Sequence, residues 1–244
     1  MTVSLCVREP YRVDGDRQLR FGVVAAAAVP AVGTLAPVVS PDGAAAMGGH
    51  IDDSLGDRLR RYLADGVAID DAVEALLGAA DVATRRGRQL HGVGRSSQVT
   101  VTGRDCVAAA DRDGEHYTAA GTQLPSEAAL DAMVDRYTGT AFGDDPLAER
   151  LIDALTAASG VGIDSRRGGD ADSDGPLTVG SAAVRVVTTE ATDDRRFYND
   201  LRVDASESPI ADLKTTYNAA LLGYEQTIDA YAEPDDSQSP NSKN

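Results

Sequence analysis

Metal and disulfide chemistry have little to work with in this chain. It has two cysteines, Cys6 and Cys106, and three histidines, His50, His91 and His116, none at the short spacings from which metal ligands or disulfide frameworks are built. The cysteines read as reduced thiols, the histidines as satisfied or exposed imidazoles, and neither a metal nor a cofactor is expected. Lysine is almost absent, at Lys214 and Lys243 only, so positive charge is nearly all arginine; it is outweighed, and the formal net charge is −16 at pH 7. Such a field repels phosphate backbones and anionic lipid headgroups. The two arginine clusters along the sequence, Arg58, Arg60 and Arg61 and then Arg85, Arg86 and Arg88, read as solvated helix faces beside carboxylates. Nucleic acid and membrane are therefore not expected partners. The acidic excess suits a halophilic cytoplasm, where salt screens like-charge repulsion. A long hydrophobic run is also missing. The uncharged stretch 21–41 is mostly Ala and Val and is broken by Pro30, Gly33 and Pro37, so it reads as two buried strands or a strand and a loop. There is no Gly-x-Ser-x-Gly elbow and no phosphate-binding loop, and the pairs Gly92-Val93-Gly94 and Gly160-Val161-Gly162 lack a third glycine.

What is present is enough apolar content, 42% of 244 residues, to bury the core of one domain. We place that domain at 1–232, followed by a polar tail at 233–244. The chain opens on a strand in which Val3, Leu5 and Val7 alternate with Thr2, Ser4 and Cys6, giving one apolar face and one face of hydroxyl and thiol groups. A turn at Asp14-Gly15-Asp16 predicts a hairpin with a second strand over 19–29. An apolar stretch at 44–48 comes next, then helices near 55–63 and 70–80, the second with Asp71 and Glu74 at capping-box spacing. The patterning predicts strands at 89–93, 98–102, 106–110 and 116–121, and helices at 126–137 and 146–158 with Asp145 as the cap of the latter. Strands at 179–189 and 199–203 and a long helix from Ser208-Pro209 complete the order. Strands come in blocks and helices in pairs, which points to an α+β fold: two antiparallel sheets face to face, with helices outside.

Two stretches carry candidate chemistry besides the first strand. Asp170-Ala171-Asp172-Ser173-Asp174-Gly175 matches the first half of a calcium-binding loop, but Ser181 stands where a bidentate Glu is needed, and a solvated acidic insertion is the preferred reading. In Asn199-Asp200-Leu201-Arg202-Val203-Asp204 a strand would put Asp200, Arg202 and Asp204 on one face. That is either an exposed set of ion pairs or an arginine held to bind an anionic or carbonyl substrate. Removal of Met1 would leave Thr2 with a free α-amine beside its own hydroxyl, a nucleophile and a base on one residue.

Several stretches in order resemble one family: Met1-Thr2-Val3-Ser4, Gly22-Val23-Val24 through Ala31-Val32-Gly33, Arg88-Gln89, Thr102-Gly103 with Cys106, Leu147-Ala148-Glu149-Arg150-Leu151, Arg166-Arg167-Gly168, Ser181-Ala182-Ala183, and Asp200 to Asp204 with Pro209-Ile210. The resemblance, across about residues 1–215, is to domain of unknown function 1028, described as N-terminal-nucleophile (Ntn) hydrolase-like. It implies a four-layer αββα sandwich and hydrolysis of an amide or related carbonyl bond, with Thr2 as nucleophile and its α-amine as base. Ser4 would orient the amine, Gly121 and Thr122 would offer oxyanion donors, and Arg202 with Asp204, or Arg167, would bind a small-molecule or peptide-like amide substrate. The chain departs from the family pattern at Ala27, Gly49, His50, Thr122, Ala205 and Ser206, where polar residues of other types are usual. Those departures leave two readings: a changed substrate pocket, or a non-catalytic, oligomeric protein that binds a small molecule or a partner.

Overall fold

Alternation along the first strand decides where the two halves of the molecule meet. The structure, a computed structural model, describes residues 1–50, 53–161, 179–190 and 196–231. Strand β1 (Thr2–Val13) pairs antiparallel with β2 (Asp16–Ala27) through a two-residue turn. Both turn residues are left-handed, Asp14 at φ 51° and Gly15 at φ 91°, the conformation whose twist matches a tight hairpin. Val3, Leu5 and Val7 are fully buried on one face of β1, each worth about 1.5–3 kcal/mol of burial. They join the core cluster that lies under helices α5 (Ala128–Thr138), α6 (Leu147–Gly160) and α7 (Pro209–Tyr231). Cys6, on the other face, joins Phe21 and Val23 of β2 against Val39, Ala44, Ala46 and Val93 of a second sheet.

The first sheet runs β10 (Asp200–Ser206), β9 (Gly180–Thr188), β2, β1, β8 (Tyr117–Thr122), β7 (Ala110–Gly114). The second runs β3 (Pro37–Ser40), β4 (Gly43–Gly49), β5 (Arg88–Gly94), β6 (Gln98–Thr102). Every pairing in both is antiparallel. Helices α2 (Asp53–Ala64) and α3 (Ile69–Gly78) cover the outer face of the second sheet, with Leu55, Leu59, Ile69 and Leu76 against Val38, Met47 and Leu90. The layers are therefore helix, sheet, sheet, helix, as expected. The uncharged stretch 21–41 becomes most of β2, a single helical turn α1 (Val32–Leu35), and β3. Among the described residues no helix is long and apolar enough to cross a membrane.

Local expectations fail where a backbone or a cap is decided by neighbours. Residues 106–109 are turns rather than strand, because Ala108 is left-handed at φ 44° and Val107 and Ala108 offer their carbonyls to Gln123 and Leu124. The Asp71–Glu74 box does not form: the helix starts earlier, with Ala68 as N-cap, and Asp71 becomes a first-turn acid. Asp145 does not cap α6; Pro146 holds that position and the Asp145 carbonyl accepts from Arg150 Nε at 3.0 Å. A short helix α4 (Val82–Arg86), capped by Asp81 on the Thr84 amide at 2.9 Å, was not anticipated. The acidic loop 170–175, Arg167 and the tail 233–244 lie outside the described residues.

The helix-facing side of β1 carries one charge. Glu9 is 0% exposed and takes both guanidinium nitrogens of Arg150 at 2.7 Å, Arg20 Nε at 2.9 Å and the Tyr137 hydroxyl at 3.0 Å. Burial raises the pKa of its carboxyl, but the hydrogen bonds and charge of Arg150, and then Arg20, hold it below the usual carboxylate range. This cluster ties the first hairpin to α5 and α6.

Candidate functional site

Thr2, Ser4 and Cys6 lie on the face of β1 that looks across to the second sheet, and their neighbours follow from register. Thr2 stands between Ala27 of β2 and Thr122 of β8; Ser4 stands between Ala25 and Ala120; Cys6 stands between Val23 and Thr118. The row continues from Ala27 to Ser181 of β9, whose hydroxyl donates to the Val29 carbonyl at 2.5 Å and accepts from the Val32 amide at 2.9 Å. Ala27 and Thr122, two of the positions where the chain departs from the family pattern, are thus the residues directly beside Thr2. The end of β4 closes over Thr122: a Cβ on Gly48 would sit 3.6 Å from the Thr122 methyl and 3.4 Å from Gln89 Oε1. Gly49, a third departure, is left-handed at φ 72°, and a Cβ there would meet the Gly87 carbonyl at 2.2 Å, so only glycine fits. His50, a fourth, follows with its amide bonded to that same carbonyl at 2.8 Å.

Between the sheets runs a short chain of neutral polar groups. His91, on the inward face of β5, meets Ser4 Oγ with Nε2 at 2.8 Å and Thr118 Oγ1 with Nδ1 at 3.0 Å. All three are buried, with His91 1% exposed. Burial pushes the His91 pKa down to about 4, against a small opposing contribution from Thr118, so the ring is neutral near pH 7. One ring nitrogen donates and the other accepts, and the two hydroxyls supply the complementary roles. Ser4 is thereby fixed in rotation two residues from Thr2. Cys6 is fully buried and burial raises its thiol pKa well above the usual value, which makes it an inert core residue. Gln89 bridges to the Thr102 hydroxyl at 3.0 Å and the Ala110 carbonyl at 3.3 Å.

Met1 belongs to the helix side of the first sheet rather than to this seam. It is 8% exposed, packs in the core under the helices, and its amino group donates to Gln123 Oε1 at 2.6 Å.

The structure brings Thr2, Ser4 and Thr122 together and does not bring Arg202 and Asp204 to them. Arg202 pairs in register with Ala183, which pairs with Ala25, which pairs with Ser4. It is three strands from Ser4, roughly 14 Å at ordinary strand spacing. There it bonds Asp204 at 3.2 Å with both side chains about half exposed, and Asp200 pairs with Arg185 at 3.2 Å instead. Lys214 is also remote from Thr2: it sits on α7, held by Glu149 at 3.1 Å and Asp153 at 2.9 Å. Two clefts, of about 620 and 360 Å³, are lined by other residues and do not border Thr2. Sequence reading missed His91 and Thr118. Gln89 and His91 do alternate with Leu90, which marks a polar strand face, but nothing in the sequence joins that face to Ser4. Among the described residues no group of three or more His, Cys, Asp or Glu is placed to hold a metal ion.

Two antiparallel sheets between helical layers, with a central hydroxyl-bearing strand opening into the seam, define an αββα sandwich. The chain belongs to the family of unknown function DUF1028, whose profile matches residues 2–213. The fold is also that of the crystal structure of a DUF1028 protein from Silicibacter pomeroyi, at a TM-score of 0.70 and 22% identity over 93% of this chain and 92% of that one. A much weaker likeness, at a TM-score of 0.35 and 12% identity over 96% of this chain and 100% of the other, is to an Anbu mutant from a Hyphomicrobium strain, and is too low to weigh. No curated protein matches the sequence.

Proposed function

We propose that this protein is an Ntn-type hydrolase of an amide or related carbonyl bond, with Thr2 as its nucleophile. The observation that carries the reading is the position of Thr2 at the start of a central strand, on the inter-sheet face, with Thr122 beside it and Ser4 locked by His91 behind it. Excision of Met1 frees the Thr2 amine, whose ordinary pKa of about 7.7–8.0 suits a base at neutral pH. The amine takes the hydroxyl proton as Oγ1 attacks the carbonyl, the tetrahedral adduct expels the amine leaving group with that proton, and water then cleaves the acyl-enzyme. The Thr118–His91–Ser4 chain acts on positioning, since its members are buried; Thr122 is the hydroxyl residue directly opposite Thr2 in register. Arg202 lies too far away to bind the same small substrate, so recognition falls to groups nearer Thr2.

A second reading, a non-catalytic protein that binds a small molecule or partner, is favoured by the burial of Met1 and its bond to Gln123, an arrangement complete with the first residue in place. Intact-mass measurement combined with hydrolysis assays of amide, peptide and lactam substrates in high salt separates the two. The hydrolase reading expects a purified chain one methionine residue short, and turnover that Thr2→Ala abolishes. Retained Met1, or equal rates for native protein and Thr2→Ala across the panel, overturns it.

A further inference from the structure

We propose that the cleft at the other end of the sandwich from Thr2 is a binding site for a small organic polyanion, held by Arg8, Arg17 and Arg95. The cleft has a volume of about 620 Å³, within the usual range for small-molecule sites. The first hairpin and the second sheet bring its arginines together: Arg8 comes from β1, Arg17 from β2, and Arg95 follows directly on β5. In a chain with 39 acidic and 23 basic residues, chance would give such a cleft an acidic lining. Here Glu115 is the one carboxylate against three guanidinium groups.

The charges are also left available. Arg8 is held by backbone carbonyls, those of Gly94 at 2.7 Å and Glu115 at 2.8 Å, which fix its plane while neutralising nothing. A guanidinium oriented in this way loses little further entropy when it meets a phosphate or carboxylate. Arg17 has no ion-pair partner among the described residues, and Arg95 shares its charge with Asp42 at 2.9 Å. Burial, and after the opposing pull of Glu115 the charge of Arg17, lower the pKa of Arg8. An anion seated between the arginines relieves that strain. His116 also lines the cleft.

Failure of this proposal leaves the Thr2 reading untouched, because Arg8 stands six residues along β1, roughly 20 Å away. The test is calorimetric titration of the full chain at constant ionic strength, with sodium pyrophosphate in one arm and citrate in the other. Arg17→Ala and Arg95→Ala are the informative variants, since both side chains are exposed and neither closes the fold; Arg61→Ala, an exposed arginine on α2, is the control. One-to-one binding of at least one anion is expected, weakened about ten-fold or more by each cleft variant and unchanged by the control. The tighter anion tells whether the ligand bears phosphate or carboxylate. Absence of binding in both arms, or cleft variants that bind like the native protein, overturns the proposal.

Discussion

The two faces of β1 solve the same problem in opposite ways. Toward the helices, Glu9 is a buried charge, stabilised by two arginines and a tyrosine. Toward the second sheet, Ser4, His91 and Thr118 form a buried polar chain with no charge at all. A buried carboxylate is tolerable only when its partners are complete, and removal of one leaves the full desolvation cost behind. A neutral chain costs less to bury and less to break, but it constrains pH, because the imidazole must stay unprotonated. The charged cluster therefore fastens layers together, while the neutral one holds a hydroxyl at a fixed orientation next to Thr2. One strand carries the anchor and the candidate chemistry on opposite sides.

The largest effect is expected on the charged face. Arg150→Ala should cost about 3–5 kcal/mol in urea unfolding, since Glu9 stays buried with half of its charge compensation gone. A loss below about 1 kcal/mol would erase the contrast between the faces. The neutral face should reveal itself through pH. His91 has a pKa of about 4 folded against about 6.5 unfolded, so between those values the unfolded chain binds a proton that the folded chain refuses. Stability is then complete above about pH 6.5 and falls as pH drops toward 4, by up to about 3 kcal/mol at 1.36 kcal/mol per pH unit. His91→Gln, which keeps a donor and an acceptor for the two hydroxyls, should flatten the slope above pH 4.5. An unchanged slope would assign the acid sensitivity to another group. The smallest effect belongs to neither face: Arg202→Ala, at an exposed ion pair, should change stability by less than about 1 kcal/mol and leave any Thr2-dependent hydrolysis as it was. A selective rise in KM in that variant would draw the site across three strands and redefine the seam.

Much of the layer order was legible in the residues. The alternation of Val3, Leu5 and Val7 with Thr2, Ser4 and Cys6, the Asp14-Gly15 turn and the blocks of strands and helices are local patterns, and each emerged close to its expected place. The capping signals did worse, at Asp71 and Asp145, because a cap depends on a single torsion that tertiary packing resets. The candidate site was half legible: Thr2 and Ser4 could be named from the strand, and Thr122 as a departure from the family pattern. His91 stayed hidden because it lies 87 positions from Ser4, on the other sheet. The arginine cleft stayed hidden for the same reason, while the arginine clusters visible in sequence sit elsewhere.

By itself, then, the sequence determined which residues share a strand face and which runs are apolar, since a period of two or 3.6 is a property of neighbours along the chain. Only the tertiary structure decided that Ser4 meets a histidine, that Arg202 does not meet Thr2, and that Arg8, Arg17 and Arg95 border one space. Those outcomes depend on how two sheets stack and in what register. Long-range packing sets that stacking, and short-range pattern does not encode it.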